Sequence, residues 1–176
     1  GKIYVWGDNQ YGQLGRGDTR QSFKVGTFET KNQAIDLSRL KDIIPASDYS
    51  FLLMDDSTVY GVGNNSYLPL TRKGSPHKTH VLAELNVALA DMKTGFGHVL
   101  ALTDEGEVYA WGRNNRGQVG NGNRKNVMTP YKLPLQNIVK IECGGKYSLA
   151  LDDQGVLWGW GDNEYNQLSP KKQIDF

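Results

Sequence analysis

Apolar residues in this chain fall into short runs: Ile3-Tyr-Val-Trp6, Phe51-Leu-Leu-Met54, Val99-Leu-Ala-Leu102, Val108-Tyr-Ala-Trp111 and Leu157-Trp-Gly-Trp160. Each is bounded by glycine, asparagine, aspartate, serine or threonine, and no window sustains apolar residues at helical spacing, so the pattern predicts short strands joined by turns. The runs recur in order. One phrase occurs four times, from Gly1 to Gly15, Ser57 to Leu70, Gly106 to Gly120 and Gly155 to Ser169, and its glycines Gly7, Gly63, Gly112 and Gly161 are 56, 49 and 49 residues apart. A second phrase, Ala46 to Leu53, Gly95 to Leu102 and Gly144 to Leu151, keeps step with it and places Tyr49, His98 and Tyr147 in one slot. Each unit reads as an approach strand (Leu40 to Ile44, Leu89 to Lys93, Ile138 to Glu142), a small-residue turn, an apolar strand, an acidic turn, an aromatic strand, a loop and a variable outer segment. Four-stranded units repeated about every fifty residues predict an all-β chain built as a β-propeller of four-stranded antiparallel blades.

The recurring residue types have physical reasons. Glycine after each aromatic strand permits positive φ and close backbone approach at the strand exit. Asn9, Asn65, Asn114 and Asn163, two residues beyond, can bond their own turn backbone or enter the left-handed region. Tyr4, Tyr60, Tyr109 and Trp158 alternate with Trp6, Val62, Trp111 and Trp160, and a spacing of two puts each pair on one strand face, where it should pack between adjacent blades.

The phrase Gly106-Glu-Val-Tyr-Ala-Trp-Gly-Arg-Asn-Asn-Arg-Gly-Gln-Val-Gly120, preceded by Gly95-Phe-Gly-His-Val-Leu-Ala-Leu102, resembles the repeat of the regulator of chromosome condensation family. The likeness covers nearly the whole chain. It departs at Val62, Leu68 and Pro69 in the second copy and at Asn166 and Ser169 in the fourth, which suggests two loosened loops. The family implies a ring of about seven blades, and 176 residues hold a part of one. The expected division is a half-blade at 1–39 and blades at about 40–88, 89–137 and 138–176, with the remaining blades supplied by a longer chain or another subunit.

Composition narrows the function classes. A mean hydropathy of −0.54 and the lack of a long apolar stretch argue against a membrane span and a membrane partner. Cys143 is the single cysteine, so no intrachain disulfide can form. These features suit an intracellular protein, cytoplasmic or nuclear. His98 fills a slot that is tyrosine elsewhere, which favours a structural hydrogen bond. His77 and His80 lack cysteine or carboxylate neighbours at zinc-ligand spacing. The glycine turns lack the Gly-Lys-Ser/Thr ending of a phosphate loop. No cofactor, metal or catalytic residue is implied.

Net charge is only +1, yet its distribution follows the repeat. Turns before the aromatic strands are acidic: Asp55-Asp56, Asp104-Glu105 with Glu107, and Asp152-Asp153. The segments after them are basic: Arg16, Arg20 and Lys24; Arg72, Lys73 and Lys78; Arg113, Arg116, Arg124, Lys125 and Lys132; Lys171 and Lys172. Because the two ends of a strand lie on opposite faces of a blade, one face should be acidic and the other basic. The basic loops Arg113, Arg116, Arg124, Lys125, Arg72, Lys73, Arg16 and Arg20 are therefore candidate contacts for an acidic protein, a nucleosome surface or nucleic acid. Charge kept for solubility alone is the competing account.

A repeat array without a catalytic constellation points first to a non-catalytic protein-interaction scaffold. The resemblance implies a second reading, guanine nucleotide exchange on a Ran-like small GTPase, with a wedge that this chain could place only at Thr27 to Gln33, where Phe28, Glu29 and Lys31 are the candidates. A third is a substrate-recognition propeller within a ubiquitin ligase or kinase, and a secreted inhibitor is a remote fourth.

Overall fold

The computed structural model describes residues 1–29, 35–66, 80–81 and 85–168. Among these residues thirteen strands form four antiparallel sheets: β1 (Tyr4–Gly7) with β2 (Ser22–Thr27); β3 (Leu40–Pro45), β4 (Tyr49–Met54), β5 (Val59–Gly63) and β6 (His80–Val81); β7 (Leu89–Thr94), β8 (His98–Thr103), β9 (Val108–Gly112) and β10 (Val127–Lys132); and β11 (Ile138–Cys143), β12 (Tyr147–Asp152) and β13 (Leu157–Gly161). Within each sheet neighbours in sequence are neighbours in space, the up-and-down order of a propeller blade. The approach strands start at Leu40, Leu89 and Ile138, as the repeat predicts. A 3-10 turn, Leu37–Arg39, capped by the Asp36 carboxylate on Ser38 N, is the one helical element among the described residues. The chain divides into two compact units, one holding β1 to β6 and the other β7 to β13.

In the second unit the core lies between two sheets. Leu100, Leu102, Val108 and Ala110 of one sheet meet Ile138, Ile141, Ala150 and Trp160 of the next, with Val119, Leu133 and Leu135 contributed by the intervening segment. Polar atoms complete this seam. The Gln118 carbonyl accepts from Trp160 Nε1 at 2.9 Å and from Ser148 Oγ at 2.8 Å, and Ser148 Oγ lies 3.0 Å from His98 Nε2. The serine has one proton and gives it to the carbonyl, so the imidazole donates through Nε2. Full burial, partly offset by the Tyr147 backbone, lowers the His98 pKa from 6.5 to about 4. Thus His98 has the structural role expected of its slot.

The first unit repeats the scheme with smaller parts. Its core gathers Ile3, Phe28, Ile35, Leu52, Met54 and Val62, and Ser50 Oγ donates to the Gln13 carbonyl at 3.1 Å. Here two expectations are corrected. Val62, Trp111 and Trp160 are buried, but Tyr4 and Trp6 remain 59% and 61% exposed. In the second unit the preceding loop covers Trp160 through the Gln118 carbonyl. The wedge expectation is corrected at Phe28 alone. Phe28 cannot project, because its ring is packed in the core against Gly15, where an added Cβ would lie 2.0 Å from Cε2. Glu29 N is tied to the Gly15 carbonyl at 3.0 Å, and Lys31 lies outside the described residues.

The strand-exit glycines all have positive φ: 106° at Gly7, 113° at Gly63, 102° at Gly112 and 102° at Gly161. At Gly112 an added Cβ would stand 2.3 Å from the Gly97 carbonyl oxygen, whereas at Gly7 it meets nothing within 4 Å. Gly112→Ala should therefore destabilise the chain by about 3 kcal/mol or more, the sum of strain and a main-chain clash, and Gly7→Ala by about 1–2 kcal/mol of strain alone. Urea unfolding of the two variants measures the difference; equal losses would refute the clash.

His98 supplies a pH test. Its folded-state pKa lies below the unfolded value, so the stability of the neutral form is complete above pH 6.5 and is lost as pH falls toward 4. The full change is about 3 kcal/mol. His98→Tyr, the residue of Tyr49 and Tyr147 in the same slot, should remove that portion of the slope in chemical unfolding measured at successive pH values.

Candidate functional site

Strand direction sorts the loops of the second unit to two ends. At one end Arg113 N donates to the Gly97 carbonyl at 2.7 Å, Phe96 N to Gly145 at 2.8 Å and Asp162 N to Lys146 at 2.9 Å. At the other, Asp104 N donates to Ala88, Ile138 N to Gly106 and Asp153 N to Asn137, each at 3.0 Å. The first end carries Arg113, Arg116, Arg124, Lys125 and Lys146 beside Asp162 and Glu164; the second carries Asp104, Glu105, Glu107, Asp152 and Asp153. The expected separation of charge is thus present within this unit, with one reassignment. Lys132, at the return end of β10, belongs to the acidic end and bonds Glu107 Oε1 at 2.6 Å.

Several acidic residues serve their own turns. Asp152 Oδ1 accepts from Gln154 N and Val156 N, and its Oδ2 accepts from Trp158 Nε1 at 2.9 Å. In the first unit Arg39 spans Asp55 at 2.8 Å and Asp56 at 3.1 Å. The bond to Asp55 holds the guanidinium pKa above its usual value, while Thr58 lowers that of Asp56 by hydrogen bonding. An acidic turn that closes itself and carries a counter-ion has little charge left for a partner.

The basic loop is built around Asn114. This side chain is fully buried; its Oδ1 accepts from Val119 N at 2.9 Å, and its Nδ2 reaches Asn121 Oδ1, the Asn123 carbonyl and the Lys125 carbonyl at 2.9 to 3.0 Å. Asn126 Oδ1 closes the frame on Asn114 N, and Lys125 N donates to Asn123 Oδ1 at 2.8 Å. Asn9 repeats the scheme: Oδ1 accepts from Leu14 N at 2.9 Å and Nδ2 donates to Asp18. Asn163 Oδ1 accepts from Leu168 N at the same distance. The asparagine therefore bonds its own loop five residues on in three of the four copies; the residue five on from Asn65 lies outside the described residues. Gln13, Gln118 and Gln167 reinforce it by accepting from the backbone N of Tyr11, Arg116 and Tyr165.

On this frame the candidate cations differ in freedom. Arg16 and Arg20 share Asp18 at 4.0 and 3.8 Å. Arg116 lies 4.0 Å from Asp162 and 3.5 Å from Glu164, and Arg113 Nε donates to Asn115 Oδ1 at 3.1 Å. Arg124 and Lys125 are exposed and make no ion pair among the described residues. Arg72 and Lys73 lie outside those residues. Sequence reasoning passed over Phe96, which is 56% exposed at the basic end. Its signal was available: an aromatic stands where the other repeats have Ser47 and Gly145.

Among the described residues no cluster of three or more histidines, cysteines or carboxylates has a metal-binding arrangement, and no helix is long and apolar enough to cross a membrane. Burial pushes the Cys143 thiol pKa up, which disfavours the thiolate needed for nucleophilic chemistry.

Comparison with known proteins adds the lineage. Two family models, both described as the regulator of chromosome condensation (RCC1) repeat, match residues 1–36 and 105–151, and residues 90–118 and 138–167. The E3 ubiquitin-protein ligase HERC2 of Homo sapiens is 32% identical over 155 residues, which is 84% of this chain and 3% of HERC2. The crystal structure of human WBSCR16 superposes with a TM-score of 0.83 at 28% identity, covering 98% of this chain and 47% of that one. Prp20p of Saccharomyces cerevisiae, whose structure was described with its binding to Gsp1p and histones, gives 0.81 at 21% identity over 95% of this chain and 42% of its own. The chain therefore spans less than half of either solved propeller. The sheets are blades of a partial β-propeller, and the chain belongs to the regulator of chromosome condensation (RCC1) repeat family.

Proposed function

We propose that the chain is a non-catalytic protein-interaction scaffold that engages an acidic partner through its basic loop end. The observation that carries this reading is the pair Arg124 and Lys125, exposed and without an ion pair among the described residues, on a loop that buried Asn114 holds by its backbone. A cation on a preformed loop loses little conformational freedom on binding, and clustered positive charge speeds encounter with negative surfaces. In a longer protein of the ligase or kinase kind the same end would select substrates, a role that the likeness to HERC2 makes reasonable. Nucleotide exchange lacks comparable support, since the wedge candidate Phe28 belongs to the core.

Replacing Arg124 and Lys125 with glutamate should weaken binding to duplex DNA and to an acidic protein alike, and lower the slope of log K against log salt on DNA by about 2. Unchanged affinity and slope would refute the loop assignment. Nucleotide release from Ran-like small GTPases loaded with fluorescent GDP should proceed at its intrinsic rate when the chain is added. Acceleration by orders of magnitude would replace the scaffold reading with exchange.

A further inference from the structure

The turn between β7 and β8 contains an aromatic residue that its repeat does not require. Ser47 and Gly145 occupy the equivalent slots, so the blade can be closed with a small residue. Phe96 is nevertheless set in place. Its N–H donates to the Gly145 carbonyl at 2.8 Å, and a Cβ built on Gly145 would lie 3.1 Å from the Phe96 ring. Gly145 has none of the positive φ that explains the strand-exit glycines. The three atoms nearest to such a Cβ all belong to the Phe96 ring. The two residues form a seat and an occupant: glycine lets the ring approach the next turn closely, while more than half of Phe96 stays open to solvent. An apolar ring held this way has already lost much of the freedom that binding removes.

The surroundings are cationic. Arg113 begins at the hydrogen bond to Gly97, one residue from Phe96, and Lys146 directly follows Gly145. Arg116 extends the positive charge, partly balanced by Asp162 and Glu164. Aromatic residues and arginine are both enriched at protein interfaces.

From this geometry we infer that Phe96, seated on Gly145 and bordered by Arg113 and Lys146, is the apolar anchor of a docking surface for an acidic peptide segment that carries a large apolar side chain. The acidic residues meet the arginines and lysines, and the apolar side chain covers the exposed ring. Charge alone would accept any polyanion; the ring adds a requirement that nucleic acid phosphates do not meet. The inference rests on the basic-loop reading above and narrows it to one class of partner.

Two fluorescein-labelled glutamate peptides, identical except for a central phenylalanine or serine, test it by fluorescence anisotropy on the full chain. The phenylalanine peptide should bind about tenfold more tightly than the serine peptide. Phe96→Ser, which installs the residue of the Ser47 turn, should bring that ratio close to one by weakening the phenylalanine peptide about tenfold. Gly145→Ala, whose methyl would press the ring outward by a few tenths of an ångström, should move the ratio less than Phe96→Ser does. Equal binding of both peptides to the unaltered chain would overturn the anchor and leave the basic-loop reading standing, a result that needs no variant to fold. Binding of neither peptide would remove both.

Discussion

The fold depends on how one blade grips the next, and the Gln118 carbonyl shows how that grip is made. A main-chain oxygen at the bottom of a loop receives a hydroxyl from β12 and an indole N–H from β13, in a seam where an unmet polar atom would be expensive. Apolar burial around it supplies most of the attraction, but burial alone does not fix the register of one sheet on another. The two donors do. Because Trp160 must point its nitrogen at that oxygen, the ring has one orientation, and the neighbouring sheet has one place to stand.

The same logic explains why the repeat is longer than its strands require. The loop that offers its carbonyl must itself be rigid, and buried Asn114 makes it so by joining the loop's start to three later points. Sequence therefore recurs in the loop as faithfully as in the strands. Where a partner atom changes, the contact simplifies. The first unit keeps the serine-to-carbonyl bond from Ser50 to Gln13, while Val62 takes the tryptophan's place without its hydrogen bond.

Much of this architecture was legible in the sequence. Strand starts, turn glycines and the structural histidine all follow from local rules: which residues alternate, which tolerate positive φ, which slot is shared. What escaped were properties set by neighbours. Trp6 and Trp111 sit in nearly identical phrases, yet the first is exposed and the second buried, a difference that the phrase itself does not encode. Phe28 looked free in a long spacer, but it immediately follows β2 and drops into the core beside Gly15. Charge was read correctly in sign and incompletely in effect: Asp55 and Asp56 are acidic in sequence and largely committed to Arg39 in space. Phe96 was visible as a departure from its siblings, and its meaning required seeing the glycine beneath it.

The Asn114 frame has an evolutionary consequence. It grips the loop at Val119, Asn123 and Lys125 by peptide groups, which every amino acid except proline can offer in full. The shape of the loop is thus insulated from the identity of most side chains that decorate it. Arg116 or Arg124 could be exchanged through many generations without loss of the support beneath them. A lineage that duplicates such blades inherits a set of interchangeable tips on a fixed mount, free to drift toward new partners one tip at a time.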